Sequence, residues 1–529
     1  MSEVPLPDLI QALSIPETYP HPVEVITTIE THISVVFLTG EFAYKLKKPV
    51  DFGFLDFTRL QQRLKYYQLE LELNKRTAPQ LYLEVCPLYL HTVATLSFEP
   101  QHPADEPIEY LLKMRQFDPN SVLSRLLQQQ SLNSVQIEAL AMQIADFHTK
   151  AEPVEKQSKL GDPEVILQPM LDNFPTLLKD YQDLAGSELD QLQDWTRRTY
   201  QKLLQRLIAR KKDGYIRACH GDLHLDNIAL VDEQPLLFDG IEFNENFRWI
   251  DVLSDLAFLL IDLDFRKQRR LKSKILSIYL NQTQDYAVFD LLGFYRVYRT
   301  LVRAKISGLR CAQLESKDYR KKVMQQTTLD YIHQALEYSQ ESKQPKLVLL
   351  QGISGSGKSY LADHLLDWFD AVILSSDRTR KHLYGIQSTA RISTEDKRKL
   401  YGAEMNRLTY DTLLSNAATL LQQRQNVIVD ATFLKREHRQ RFYDLQTSHD
   451  CEVFTLSMQI SRELAENAIR YRLHTNIDPS DADATVMLQQ YKVNQIPQKD
   501  EPALLLSADE LRIRIPEEEI KAFLKINDI

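Results

Sequence analysis

"LLQGISGSGKSYLAD" (349–363) packs three glycines into six positions, in a chain of 529 residues that has only 14. The apolar run before it reads as a short buried strand, and the residues after it follow a helical pattern. Gly352, Gly355 and Gly357 let the backbone turn so that successive N–H groups, Ser356 among them, point at phosphate oxygens. The N-terminus of the following helix faces the same negative charge. Lys358 is then expected to reach the β/γ-phosphates of a nucleotide, and the Ser359 hydroxyl can coordinate Mg²⁺. The stretch from Gly352 to Ser359 satisfies the full eight-residue P-loop pattern in a strand–loop–helix context.

The rest of the chain limits what surrounds this loop. A length of 529 residues calls for two or three domains. The net charge of −9 argues against a general nucleic-acid binder. The N-terminal residues "MSEVPLPDLI" have no basic region followed by an apolar run. The best candidate membrane segment, "DVLSDLAFLLIDLDF" (251–265), is broken by aspartates. Cys86, Cys219, Cys311 and Cys451 lie far apart with no paired spacing, so neither a disulfide framework nor a zinc site is expected. The reading is of a cytoplasmic protein.

Two domains are expected, with residues 1–337 forming one and 347–529 the other, joined by a polar linker at 338–346. In the first, 32–50 reads as a hairpin turning at Thr39-Gly40, and 57–79 as a helix closed by Pro79. Residues 107–117 read as a strand, and two short strands are expected near 228 and 237. In the second, strand-like runs at "LVLLQG", "AVILSS" and "NVIVDAT" alternate with helices, which implies a parallel sheet covered by helices.

Strand ends in such a sheet face the ligand. Asp377 follows "AVILSS" directly, where it can accept a proton from an acceptor hydroxyl, and Arg380 can hold an anionic group on that acceptor. Asp430 and Thr432 end a second strand. Arg470 and Arg472 lie in a helix before an expected loop, the place of a lid whose arginines meet the transferring phosphoryl group. "GISGSGKS" (352–359), "SSDRTRKHLYG" (375–385), "DATF" (430–433) and "PSDAD" (479–483) together resemble the small P-loop kinases grouped with zeta toxins, polynucleotide 5′-kinases and gluconate kinases. The resemblance covers about 345–505. It implies ATP-dependent phosphorylation of a hydroxyl with Asp377 as base, and leaves the acceptor open.

A second chemical signal lies in "RACHGDLHLDNIALVDEQPLLFDGIEF" (217–243). Asn227 follows Asp222 by five residues, the spacing of a kinase catalytic loop, and Asp239 ends the apolar run "PLLF". If the two strands pair around Glu233, Asn227 and Asp239 lie opposite each other, as a shared metal site requires. His220 and His224 are better read as loop residues than as zinc ligands. Upstream, Lys45 and Lys47 share one face of a strand, so alternation alone does not choose between them. Glu70, near the apolar face of the helix, needs a partner, and a Lys45–Glu70 ion pair would position ATP phosphates.

"HGDLHLDN", "LFDGIEF" and "DVLSDLAFL" together resemble the aminoglycoside phosphotransferase family, whose fold is like that of protein kinases. "FAYKLKKPVDFGFLDF" and "NKRTAPQLYLEV" are similar to bacterial kinase-like proteins, some fused to a P-loop domain. The resemblance covers about 25–335. It implies a two-lobed kinase-like fold, Asp222 as base, Asn227 and Asp239 as Mg²⁺ ligands, and Lys45 with Glu70 at the nucleotide. The sequence departs from the pattern in lacking a glycine-rich phosphate loop, with only Gly40 before Lys45.

Arg296, Arg299 and Arg303 share one helical face. If that face borders the cleft, it favours an anionic small-molecule acceptor; if it pairs with Asp251, Asp255 or Asp262, it is structural. The leading expectation is a two-site ATP-dependent small-molecule kinase using Mg²⁺. The alternative is a nucleotide-controlled regulatory protein with one active kinase site or none. A nucleic-acid 5′-kinase is a third reading for the C-terminal half alone.

Overall fold

Strand alternation sorts the residues of the first sheet. In β3 (Phe42–Lys47), Tyr44 and Leu46 are buried in one apolar cluster with Leu9, Leu13, Phe37 and Leu111. Period two sends Lys45 and Lys47 to the opposite face. The computed structural model describes residues 4–53, 55–92, 95–315, 318–340, 344–387, 399–475 and 484–526. It divides into two units, one comprising Met1–Gln136, Asp146–Asp172 and Tyr200–Leu259, the other Ile137–Ala145, Asn173–Thr199 and Leu260–Ile529.

In the first unit, β1 (Thr27–Glu30), β2 (Ser34–Leu38), β3, β4 (Tyr82–Thr92), β5 (Thr95–Ser97) and β6 (Glu109–Arg115) form a six-stranded antiparallel sheet in the order β1-β2-β3-β6-β4-β5. The hairpin expected at Thr39-Gly40 is the β2–β3 turn, with Gly40 at φ +100°. The helix Leu60–Lys75 packs on the lysine face of this sheet through Tyr67, which is buried against Leu112 of β6. Arg63 anchors the same helix, its Nη2 lying 2.7 Å from the buried Glu109 carboxylate of β6. Two small sheets follow: β7 (Ile216–Ala218) pairs with β10 (Trp249–Asp251), and β8 (Ile228–Val231) with β9 (Gln234–Leu237).

The β8–β9 register differs from the expected one. The turn has two central residues, Asp232 and Glu233, both left-handed at φ +50° and +61°, which is type I′ hairpin geometry. Ile228 therefore pairs with Leu237, and Asn227 faces Phe238, whose N–H donates to the Asn227 carbonyl at 3.0 Å. Asp239 comes one residue later than opposite Asn227. A turn centred on Glu233 requires three loop residues; two left-handed residues close this hairpin one position earlier.

In the second unit, β11 (Lys346–Gln351), β12 (Val372–Ser375), β13 (Val427–Asp430), β14 (Glu452–Gln459) and β15 (Ala503–Ser507) form a parallel sheet in the order β12-β13-β11-β14-β15. The sequence reading found the first three strands and missed the last two. The core beneath joins Leu350, Ile428 and Leu456 to Leu361 and Leu365 of the helix Lys358–Leu365. Helix Arg269–Thr283 lies along β12: the Ile373 N–H donates to Ser277 Oγ at 2.9 Å, and Asn281 Nδ2 donates to the Ile373 carbonyl at 2.8 Å. Lys272 reaches Asp370, and Arg270 and Lys274 reach Asp363, by ion pairs of 2.5–3.3 Å. Arg296 pairs with Asp264 at 2.5 Å and stacks on Tyr338, so its partner is none of the three aspartates expected. Asp251 is taken by Arg210 and Asp262 by Arg266.

Candidate active sites

The first site is built where the helix Leu60–Lys75 meets β3. Glu70 is fully buried and divides its oxygens between two lysines: Oε1 accepts from Lys45 Nζ at 2.8 Å, and Oε2 from Lys47 Nζ at 2.5 Å. Lys45 also donates to Asp239 Oδ1 at 2.6 Å, whereas Lys47 turns inward to Glu242. Burial alone would push the Glu70 carboxyl up; the two ammonium groups overcome it and hold the group at about 2. Burial likewise opposes the Lys45 charge, but Asp239 and Glu70 outweigh it and raise the ammonium well above its ordinary value. The choice that alternation left open falls to the environment: the Lys47 side chain is 1% exposed, while Lys45 ends against a half-exposed carboxylate.

Asp239 is held in a left-handed backbone, φ +60°, by its surroundings. Its N–H donates to Tyr82 Oη at 2.9 Å, and the Gly240 N–H donates to Asn74 Oδ1 at 2.8 Å. A non-glycine residue in this conformation costs free energy and tends to mark functional positions. Asn74 lies one helical turn after Glu70 and donates to the Glu70 carbonyl, so one helix aligns both the lysine partner and the Asp239 turn. Thr77 continues that support by donating to the Leu237 carbonyl at 2.6 Å.

Asp222 and Asn227 lie in the loop after β7. Asn227 Nδ2 donates to Asp222 Oδ2 at 3.1 Å and to the Asp222 carbonyl at 3.0 Å. His224 Nε2 lies 3.3 Å from the same carboxylate oxygen. His220 donates from Nε2 to the Phe238 carbonyl and accepts the Asp222 N–H at Nδ1, bridging the two chemical loops. Burial lowers the His220 pKa, consistent with a neutral ring in this role. Both histidines thus serve the loop.

A residue that the sequence offered only as a possible partner for the arginine face organises this loop. Asp255, fully buried in the helix Val252–Phe265, accepts the N–H of His220 on one oxygen and that of Gly221 on the other, each at 2.9 Å. His148 Nε2 adds a contact at 3.2 Å. His148, Cys219 and Asp255 form a cluster of metal-ligating side chains, yet the Asp255 oxygens are already taken by backbone N–H groups. In the sequence, Asp255 only interrupts an apolar run; a carboxylate inside such a run was the signal that a buried partner existed.

The second site sits at the carboxyl ends of β11, β12 and β13. Gly355 and Gly357 are left-handed at φ +85° and +90°. A Cβ on Gly352 would lie 2.6 Å from Ser356 Oγ, and one on Gly355 2.9 Å from the Ala465 carbonyl, so neither position has room for a side chain. Lys358 Nζ donates to the Ile353 carbonyl at 2.9 Å, folded back over the loop. Ser359 Oγ donates to Asp430 Oδ2 at 2.6 Å. Asp430 is in register with Leu350 of β11 on one side and Ser375 of β12 on the other, which sets it beside the loop. The sequence placed Asp430 at a strand end but gave it no role.

Asp377 opens the helix Ser376–Tyr384, and Arg380, one turn on, pairs with it at 2.7 Å. Arg380 is buried, touches Asn406 Oδ1 at 3.3 Å and lies over the Tyr401 ring, and its Nε meets no partner among the described residues. Arg470 is 72% exposed, with Glu466 3.9 Å away. The Arg472 side chain and the "PSDAD" segment lie outside the described residues. Asn227 with Asp239, and Ser359 with Asp430, are oxygen donors with no soft ligand among them, the chemistry that suits Mg²⁺. The half-exposed Asp239 carboxylate and the Ser359–Asp430 pair fit such an ion.

Among the described residues, no helix is long and apolar enough to cross a membrane. An uncharacterized protein of Mycobacterium tuberculosis is 28% identical over 408 residues, covering 76% of this chain and 78% of its own length. Among solved structures, a choline/ethanolamine kinase family protein from Mesorhizobium loti covers 63% of this chain and 93% of its own, at 13% identity and a TM-score of 0.35. A gluconokinase from Sinorhizobium meliloti covers 34% of this chain and 91% of its own, at 17% identity and a TM-score of 0.23. Residues 77–292 match the family described as phosphotransferase enzyme family, and residues 347–497 match the family described as AAA domain.

Proposed function

We propose that the chain is an ATP-dependent phosphotransferase with two nucleotide sites, each passing a γ-phosphoryl group to a hydroxyl of a small-molecule acceptor. The observation that carries this reading is the Lys45 ammonium held between Glu70 and Asp239, in a unit that also supplies Asp222 and Asn227. Lys45 would meet the nucleotide phosphates, with Glu70 holding its direction. Asp222 would take the acceptor's proton, and Asn227 and Asp239 would hold Mg²⁺. In the second site the P-loop N–H groups and Lys358 would cradle phosphates, Ser359 with Asp430 would hold the ion, and Asp377 would act as base. Bound Mg²⁺ supplies neutralisation of the phosphate charge. The residues themselves contribute position and fixed charge, which is most of what phosphoryl transfer requires. The domain division at 338–346 belongs to the same proposal.

The test is ATP turnover against a metabolite library, comparing the intact chain with Asp222→Asn and Lys358→Ala. Each substitution should abolish turnover on a different set of acceptors. If neither lowered turnover on any acceptor found, the reading fails.

One observation favours a second reading, a nucleotide-controlled regulatory protein. The β1–β2 connection, where a kinase-like sheet would cover the phosphates, is Thr31-His32-Ile33, with no glycine, and Lys48 Nζ bonds the Thr31 carbonyl across it. Nucleotide binding at both sites with no phosphorylated product across the library would support it.

A further inference from the structure

The sharing of Glu70 by two lysines has a chemical purpose at the nucleotide site. We propose that Lys47, backed by Glu242, is a positioning residue that fixes the Glu70 carboxylate so that Lys45 stays extended toward the nucleotide phosphates. This rests on the reading of the first unit as an ATP site.

Lys47 itself cannot serve a ligand. Its Nζ is enclosed by Glu70, Glu242 and the rings of Phe57 and Tyr67, 4.9 and 5.2 Å away, and its N–H donates to Tyr67 Oη. Its effect falls on Glu70. A buried carboxylate with one cation draws that cation onto both oxygens, because an unpaired buried oxygen is costly. Lys47 occupies Oε2 and leaves only Oε1 for Lys45. Lys45 thereby keeps a second proton directed at Asp239, on the exposed side. Glu242 completes the arrangement: without its charge, two ammonium groups would converge on one carboxylate in a buried space. A single Lys–Glu pair would position Lys45 less firmly, since Glu70 could rotate.

The experiment uses the full chain carrying Lys358→Ala, so that the P-loop does not contribute nucleotide binding. The probe is an ATP acyl-phosphate, which acylates a lysine amine near the phosphates and releases the nucleotide; labelled peptides are read by mass spectrometry, and ATP affinity by calorimetry. Lys45 and not Lys47 should be labelled, and excess ATP should compete. Lys47→Met should lower both Lys45 labelling and Mg·ATP affinity about tenfold, the effect of losing one hydrogen bond to a charged group. Lys47→Arg, which keeps the charge, should recover part of the loss. Glu242→Gln should shift labelling in the same direction, and it decides the matter alone if Lys47→Met does not fold. Labelling and affinity unchanged in folded Lys47→Met or Glu242→Gln would overturn the inference, as would labelling of Lys47. Absence of ATP-competed labelling in the parent would instead overturn the ATP-site reading itself.

Discussion

Replacing Asp255 with asparagine tests how the Asp222 loop is held. The carboxylate accepts two backbone N–H groups, those of His220 and Gly221, one on each oxygen at 2.9 Å. Asparagine offers one oxygen and one amide group, so one buried N–H then faces another donor. A hydrogen bond to a charged group is worth about 1.5–3 kcal/mol, and the surviving bond, now to a neutral oxygen, loses roughly half its strength. The loop should therefore open more easily by about 2–4 kcal/mol. That is below the ~5–15 kcal/mol of a typical domain, so the fold survives. Hydrogen–deuterium exchange of the peptide covering 218–222 reports the opening directly, and about 2.8 kcal/mol corresponds to a hundredfold faster exchange. Exchange in β1–β2 of the same unit should not change, while turnover on any acceptor of the first site should fall. Unaltered protection at 218–222 in Asp255→Asn would refute the account, whatever happened to the melting temperature.

Gly355→Ala places a methyl 2.9 Å from the Ala465 carbonyl in a left-handed backbone that costs about 1–2 kcal/mol for other residues. Calorimetry should find nucleotide binding lost at the P-loop and retained at the first site; retained binding at both would show that the loop does not need this shape. Ser359→Ala removes the bond to Asp430. It should weaken P-loop nucleotide affinity in Mg²⁺ buffer and leave affinity in EDTA unchanged, and equal losses in the two buffers would contradict the metal role. Asp264 is a probe of acid stability. Burial would raise its carboxyl, but Arg296 and Lys272 outweigh that and hold it below the ordinary value. A depressed acid stabilises the fold above its unfolded pKa of about 4, and that contribution disappears as pH falls through the folded value. Urea midpoints of the intact chain should therefore decline below about pH 4, and Asp264→Asn should flatten the decline; an unchanged slope would count against the pair.

Much of this architecture is legible in the sequence because its signals are local. The P-loop needs its glycines at fixed intervals, and the five-residue spacing of Asp222 and Asn227 survives folding because both sit in one loop. What was not legible depended on partners distant in sequence or on backbone detail. Lys45 and Lys47 share a strand face, so only partners far along the chain, Asp239 for Lys45 and Glu242 for Lys47, distinguish them. The β8–β9 register turned on whether two or three residues formed the turn, and "VDEQ" carries no glycine to mark a type I′ geometry. Arg296 could be expected to meet an aspartate of 251–265, but which one depends on how two helices pack, and Asp264 was the one not weighed. β14 lies between "DATF" and "PSDAD" and β15 beyond them, and neither strand carries a residue of the two sites.

Ser277 and Asn281 have a consequence for how this chain can be divided. They pair with both backbone groups of Ile373 on β12, an outer strand of its sheet. An outermost strand with open N–H and C=O groups is a template on which other chains assemble, and natural proteins cover it. Here the cover is a helix encoded about ninety residues upstream of the strand it shields, well before the polar stretch at 338–346. A fragment beginning at residue 344 would keep its P-loop and lose the cover, along with the cations that neutralise Asp363 and Asp370. Such a fragment is expected to aggregate through that edge, which the intact chain keeps covered with the helix Arg269–Thr283. For this sheet, the unit that can be inherited, expressed or exchanged on its own starts before the motif that announces it.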